Sequence, residues 1–201
     1  MTAANRARIG PNAILQLVPI LDERLGRASR DALLDSSGID ALPDGSSMVD
    51  ELPVARLHQQ LRLEAPEDAP DITRRAGTAT GDYILKHRIP VVAQRLLGAL
   101  PPLIASRLLA KAIARHAWTF AGSGDFRIVS MSPLVFEIHN NPVVRGETSE
   151  HPLCAWHAAV FERLYRVLIA DSYRASEQHC VAQGCSACRF LIEKSTGTEN
   201  L

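Results

Sequence analysis

Up to about residue 121, apolar residues recur at the three- and four-residue spacing of helices. Beyond Gly122 they mostly alternate with polar ones, the two-residue spacing of strands. Pro11 and Asn12 open an amphipathic helix reaching about Leu25, with Ile14, Leu17, Val18 and Leu21 on one face, and Pro19 is expected to kink it. A second helix covers about 28–35 and stops at Ser36-Ser37-Gly38, and Asp40 to Ser47 reads as a loop. Helical patterns resume at about 48–64 and about 69–87. Within the latter, Gly77-x-x-x-Gly81 predicts close packing against a neighbour. Residues 90–121 are the most hydrophobic part and are split by Pro101-Pro102. The second of these two helices, about 102–120, places Ile104, Leu108, Leu109, Ile113 and Ala117 on an apolar face. Arg107, Lys111 and Arg115 form a basic stripe at i, i+4 and i+8. That stripe reads either as a solvated face or as a site for an acidic ligand group or a membrane surface.

After Gly122-Ser-Gly-Asp125, residues 126–131 and 134–140 are expected to pair through Ser132-Pro133, with Phe126 and Ile128 alternating on one strand and Leu134, Phe136 and Ile138 on the other. A polar loop over 141–150 precedes one strong helix at about 152–173, whose buried face is marked by Trp156, Val160, Leu164 and Val167. A strand hairpin closes the chain. Helices first, then an antiparallel meander around one late helix, make the expected class α+β.

Apolar residues make up 46% of the 201-residue chain, enough for a sizeable core, and Lys plus Arg equals Asp plus Glu at 22 each. Balanced charge gives no reason to expect a nucleic-acid partner. No apolar run reaches the roughly 18 residues that a membrane span needs. The basic start leads into a run broken by Gln16 and Pro19 and lacks a small-residue cleavage site, unlike a signal peptide. The expected location is cytoplasmic, with peripheral contact to a membrane as the variant. In that compartment clustered cysteines point to metal before disulfide.

Three of the four cysteines lie in Glu177-Gln-His-Cys180-Val-Ala-Gln-Gly184-Cys185-Ser-Ala-Cys188-Arg-Phe190-Leu-Ile192-Glu193, and the fourth is Cys154. Phe190 and Ile192 alternate with Arg189 and Glu193 as in a half-buried strand, so Gly184 marks the middle of a β-hairpin. Cys180 and Cys188 then face each other with Cβ atoms roughly 5 Å apart. Two thiolates at that distance can share one ion, because Zn–S bonds are about 2.3 Å. Glu177 precedes Cys180 by three residues, so a flat strand points the two apart. Glu177 joins only if a helix end or a bulge intervenes. Cys154 has to be brought in by the fold.

Four readings of the cysteines stay open on the residues alone. They are a structural zinc, reduced thiols without metal, an iron–sulfur cluster, and a redox pair. Cys180-x4-Cys185-x2-Cys188 copies the plant-ferredoxin spacing, but the remaining cysteine lies upstream here and downstream there. Cys185-x-x-Cys188 as a redox motif normally opens a helix, whereas a strand follows it here.

Glu177-x-x-Cys180-x-x-x-Gly184-x-x-x-Cys188-x-Phe190, with a cysteine before it at Cys154, resembles the signature of the 4-vinyl reductase domain family. The opening Arg8-Ile-Gly-Pro-Asn-Ala-Ile-Leu-Gln-Leu also looks like the subgroup of that family tied to bacteriochlorophyll synthesis. The resemblance covers most of the chain, and its sharp motif covers residues 154–192. It implies an α+β ligand-binding domain, commonly dimeric, with a structural zinc on Cys154, Glu177, Cys180 and Cys188. The corresponding division is an N-terminal helical extension over 1–47 packed on the core, the ligand-binding domain over 48–194, and a frayed tail over 195–201.

Zinc held by four residues has no open position for water, so this site organises the fold and does no chemistry. For a ligand, His116, His139 and His157 can each donate to the magnesium of a tetrapyrrole, Trp118 and Trp156 can stack on a macrocycle, and Arg107, Lys111 and Arg115 can meet its carboxylates. A core or surface role competes for each of them. No nicotinamide fingerprint is present, since Gly122-x-Gly124 follows a helix and lacks the third glycine. The resemblance therefore implies a binder of a chlorophyll precursor, protochlorophyllide or chlorophyllide. It would assist 8-vinyl reduction or transfer of that pigment, as a homodimer working with other enzymes of the pathway. The alternatives are the 8-vinyl reductase itself, which needs NADPH or a ferredoxin, and a scaffold for pathway enzymes.

Overall fold

The computed structural model describes residues 7–195, so the expected fraying beyond Ser195 lies outside the described residues. Strand β1 (Arg8–Ile9) pairs antiparallel with β2 (Val49–Asp50), and the segment between them holds α1 (Asn12–Leu15), α2 (Val18–Leu25) and α3 (Arg27–Ser37). The single kinked helix expected over 11–25 is in fact two helices. Pro19 sits in the first turn of α2, where a missing N–H costs nothing, and its ring excludes the carbonyl of Leu15, the last residue of α1. The break therefore falls a turn ahead of the proline. Helix α3 runs two residues past its expected end, to Gly38 in the left-handed conformation.

Helix α4 (Glu51–Glu64) starts later than the pattern implies because residues 49–50 belong to β2; Asp50 caps it, accepting from the Leu52 N–H at 3.0 Å. Helix α5 (Ala69–His87) fills the expected span and packs along α9 (Ala155–Leu168). The Gly77-x-x-x-Gly81 pair lies at this contact. A Cβ on Gly77 would collide with the Trp156 carbonyl, and one on Gly81 would come within 2.7 Å of Arg163 Cβ. Glycine here allows backbone to approach backbone.

Helices α6 (Val91–Ala99), α7 (Pro102–Arg115) and α8 (Trp118–Ala121) follow. The expected helix over 102–120 breaks after Arg115. Its buried face is Ala105, Ser106, Leu109, Ala110 and Ile113, with Ala117 buried beyond the break. Ile104 and Leu108, placed on that face by periodicity, are exposed, because they share a stripe with Arg107 and Lys111.

Strands β3 (Asp125–Met131), β4 (Leu134–His139), β5 (Tyr173–His179) and β6 (Cys188–Lys194) form one antiparallel sheet in the order β3-β4-β6-β5. Ser132–Pro133, a cis peptide, turns β3 into β4. Helix α9 is shorter than the expected 152–173: it ends at Leu168, and residues from Tyr173 enter the sheet. Leu168 closes its buried face, while Val167 is exposed. The cross-strand pairs Leu134–Ile192, Phe136–Phe190 and Ile138–Cys188 aim six buried side chains at α9. There Phe161 meets Phe136 and Phe190 edge-on at 5.2 and 5.3 Å, arrangements worth about 0.5–1.5 kcal/mol each beyond their area. One core cluster runs from Ile9 to Ile192, in an α+β architecture of helices on an antiparallel sheet. No described helix is long and apolar enough to cross a membrane.

Candidate metal centre

Cys188 opens β6 and belongs to its buried series Cys188, Phe190, Ile192. On the neighbouring β5, Tyr173, Ala175 and Glu177 share a face by strand alternation, and Glu177 pairs with Phe190. The register then slips: His179 pairs with Arg189, which leaves Gln178 as the extra residue of a bulge. A bulge exchanges the faces beyond it. Cys180 therefore turns inward on the same side as Glu177, and its Sγ lies 3.8 Å from Cys188 Sγ. This bulge supplies the condition under which two residues three apart on a strand can share a site. The 3-10 turn Val181–Gln183 and Gly184, at φ 83°, reverse the chain.

Cys154 arrives from the other side as the N-cap of α9. Its Sγ is 3.4 Å from Cys188 Sγ, and its N–H donates to Glu177 Oε2 at 2.6 Å. One ligand atom from each of Cys154, Glu177, Cys180 and Cys188 lies within 4.8 Å of all the others. A tetrahedral ion with bonds of about 2.3 Å to sulfur holds its sulfurs about 3.8 Å apart, so the observed separations fit such an ion. Glu177 Oε1 is shut off from solvent without a hydrogen-bond partner, a costly arrangement unless a cation faces it.

The protonation of the cluster points the same way. Burial raises the Cys154 thiol well above its ordinary value. Burial, and then the negative charge of Cys180, push the Glu177 carboxyl up to about 8. Cys180 alone moves down, because Cys154 first and Cys188 next donate S–H bonds to its thiolate. At Cys188 the bond with Cys154 pulls downward, but the proton it gives to Cys180 and its burial outweigh this. Left to themselves, four buried acids hold one shared charge. A divalent cation reverses that balance by binding all four in ionised form.

Asn141, wholly buried, is a member of the site that sequence reasoning missed. Its Nδ2 lies 3.3 Å from Cys154 Sγ and 3.7 Å from Cys188 Sγ, while its Oδ1 accepts from the Val143 N–H. It thus braces two sulfurs against the loop after β4. The only signal for it is Asn140-Asn141-Pro142 at a strand end, which reads as an ordinary turn. Cys185 stays outside the group. It is half-buried and lines a shallow cleft with Glu137, His179, Ser186, Ala187 and Arg189.

The other expected contacts divide in two. Trp156 and His157 are buried side by side on α9, with Trp156 Nε1 and His157 Nδ1 unpaired and His157 Nε2 3.2 Å from the Phe120 carbonyl. His58, also unforeseen, is fully buried with an unpaired Nδ1, and its ring meets Trp156 edge-on. Arg107, Lys111, Arg115, His116 and Trp118 are exposed. His139 is 3.0 Å from Glu137, which also holds Arg189.

Solved structures define the class of fold. An H-NOX protein from S. oneidensis in its Fe(II)NO ligation state superposes with a TM-score of 0.57 at 11% identity, over 92% of this chain and 99% of that one. The phenol-responsive sensory domain of the transcription activator PoxR, with phenol, gives 0.55 at 12% identity, over 84% and 91%. The 4-vinyl reductase domain family matches residues 134–194, the stretch that carries all four candidate ligands. Over 185 residues the chain is 54% identical to the bacteriochlorophyll synthase 23 kDa chain of Cereibacter sphaeroides, covering 92% of this chain and 90% of that protein. The Rhodobacter capsulatus protein of the same name is 45% identical over 92% and 86%. The chain belongs to the family of the bacteriochlorophyll synthase 23 kDa chain.

Proposed function

We propose that this protein serves bacteriochlorophyll synthesis by binding a chlorophyll precursor, protochlorophyllide or chlorophyllide, and assisting its 8-vinyl reduction or transfer. The observation that carries this reading is the family relationship, which extends over nearly the whole chain and not over the motif alone. The fold is compatible with it, since a neighbour of the same architecture (TM-score 0.53) is described in terms of haem redox potential and porphyrin distortion.

The metal centre enters as a structural zinc. Three thiolates and a carboxylate fill a tetrahedron, which leaves no coordination position for a substrate. Bound there, zinc ties the start of α9 to the β5–β6 hairpin. The helices packed on α9, and any pocket they make, then depend on it.

For the pigment we assign the ground beneath α8. Phe120 of this four-residue helix covers His157, with ring centroids 6.2 Å apart, and His116 and Trp118 flank the same turn. Movement of α8 frees His157 Nε2 from the Phe120 carbonyl and uncovers Trp156, giving a nitrogen donor and a stacking surface. Arg115 stands at the edge for a carboxylate. A homodimer and contact with pathway enzymes belong to the same proposal.

Titrating the purified chain with divinyl protochlorophyllide, with and without NADPH, tests it. A saturable absorbance shift without conversion, weakened in His157→Ala, is expected. Conversion to the monovinyl pigment would make the chain the reductase. No shift, with pathway enzymes co-purifying instead, would leave a scaffold.

A further inference from the structure

Helices α6 and α7 form a hairpin with two unusual properties. Helix α6 is mostly apolar yet has no fully buried residue, and Val91, Val92 and Leu96 are 60%, 77% and 61% exposed. The outer stripe of α7 carries on from it with Leu103, 56% exposed, and Ile104 and Leu108, and then turns cationic at Arg107, Lys111 and Arg115. The second property is charge. Between Asp82 and Asp125 there is no acidic residue, while Lys86, Arg88, Arg95, Arg107, Lys111 and Arg115 all fall in that interval of a chain whose net charge is zero. Among the described residues Arg95, Arg107 and Lys111 form no ion pair. Elsewhere Arg24, Arg62, Arg75, Arg163 and Arg189 each hold a carboxylate.

We propose that the α6–α7 hairpin docks this protein on an anionic lipid surface. Val91, Val92, Leu96 and Leu103 enter the boundary between headgroups and acyl chains, and Arg95, Arg107 and Lys111 meet lipid phosphates. Apolar residues interleaved with cations, and no acid among them, are what an interfacial helix needs. A second copy of the chain is a poor occupant. A two-fold contact sets the same patch against itself, and these unpaired cations would then face one another. The inference does not depend on the pigment reading, because it concerns a different surface and needs no pigment to be tested.

The full-length chain is sedimented with vesicles of mixed phosphatidylglycerol and phosphatidylcholine, and with vesicles of phosphatidylcholine alone. Binding to the anionic vesicles only is expected, weakening as salt shortens the screening length. The triple variant R95Q/R107Q/K111Q should bind about a hundredfold more weakly, as expected for three surface cations. Val92→Ser with Leu96→Ser should also release the protein, and both variants should melt like the parent because the positions are exposed. Equal binding to both kinds of vesicle, or binding to neither, would overturn the proposal. So would a dimer that Leu96→Asp converts to monomer, which would give this face to a second copy.

Discussion

At the metal-centre end of the sheet, side chains find their partners inside the chain. On α6 and the outer stripe of α7 they find none. Around Cys188 two further sulfurs lie at 3.4 and 3.8 Å, Asn141 braces two of the three, and Glu177 ties itself to the first turn of α9. Along α6 no residue is fully buried and the arginine has no carboxylate. The two regions are similarly hydrophobic in sequence, so hydrophobicity alone does not decide which becomes core. What differs is the presence of a second element that carries matching groups. The centre draws on α9, β5, β6 and the loop after β4, whereas the hairpin presents its outer face to whatever lies outside the molecule.

Cutting the centre should give the largest effect. Cys180→Ser or Cys188→Ser is expected to release the metal and cost about 5 kcal/mol or more, because binding there is coupled to folding. Thermal melting with and without a chelator checks this, and a parent protein indifferent to the chelator would break the contrast. Next comes the packing of α5 on α9. Gly77→Ala drives a Cβ into the Trp156 carbonyl and should cost about 2–3 kcal/mol by denaturant unfolding.

Acid should reveal the buried histidine beside Trp156. Burial first, and the charge of Arg62 next, hold His58 down to about 3, with His157 adding to the effect and the Ala13 carbonyl opposing it. A base depressed in the folded state stays neutral there while the unfolded chain takes up a proton. Its share of stability is therefore complete above about pH 6.5 and is lost as pH falls towards 3. Between pH 6.5 and 5 the loss is about 2 kcal/mol. His58→Gln should flatten that part of the profile, and an unchanged slope would show that other groups set it. Asn141→Ala sharpens the comparison further, with metal affinity expected to fall about 10–100-fold in competition with a chromophoric chelator. The smallest effect belongs to the hairpin. Arg107→Gln should alter stability by less than about 0.5 kcal/mol, since it removes an exposed charge that has no partner.

Much of this contrast is legible in the sequence, and the parts that are not have physical reasons. The strands, the late helix and the Gly77–Gly81 contact follow from spacing that local sterics enforce. The need for a bulge between Glu177 and Cys180 follows from strand alternation, and its location at Gln178 does not. Periodicity assigns Ile104 and Leu108 to the core because it finds an apolar stripe without saying whether anything covers it. Asn141 is invisible because its role depends on two sulfurs brought near it only by folding. Cys154 is the clearest case: no spacing links it to Cys188, and its place in the group comes from family resemblance.

The most direct test is elemental analysis of the purified parent beside Cys188→Ser and Cys185→Ser. The expected result is one zinc per chain in the parent, none in Cys188→Ser, and the full amount in Cys185→Ser. Iron with acid-labile sulfide in the parent, lost from Cys185→Ser, would contradict the four-residue centre and make Cys185 a ligand.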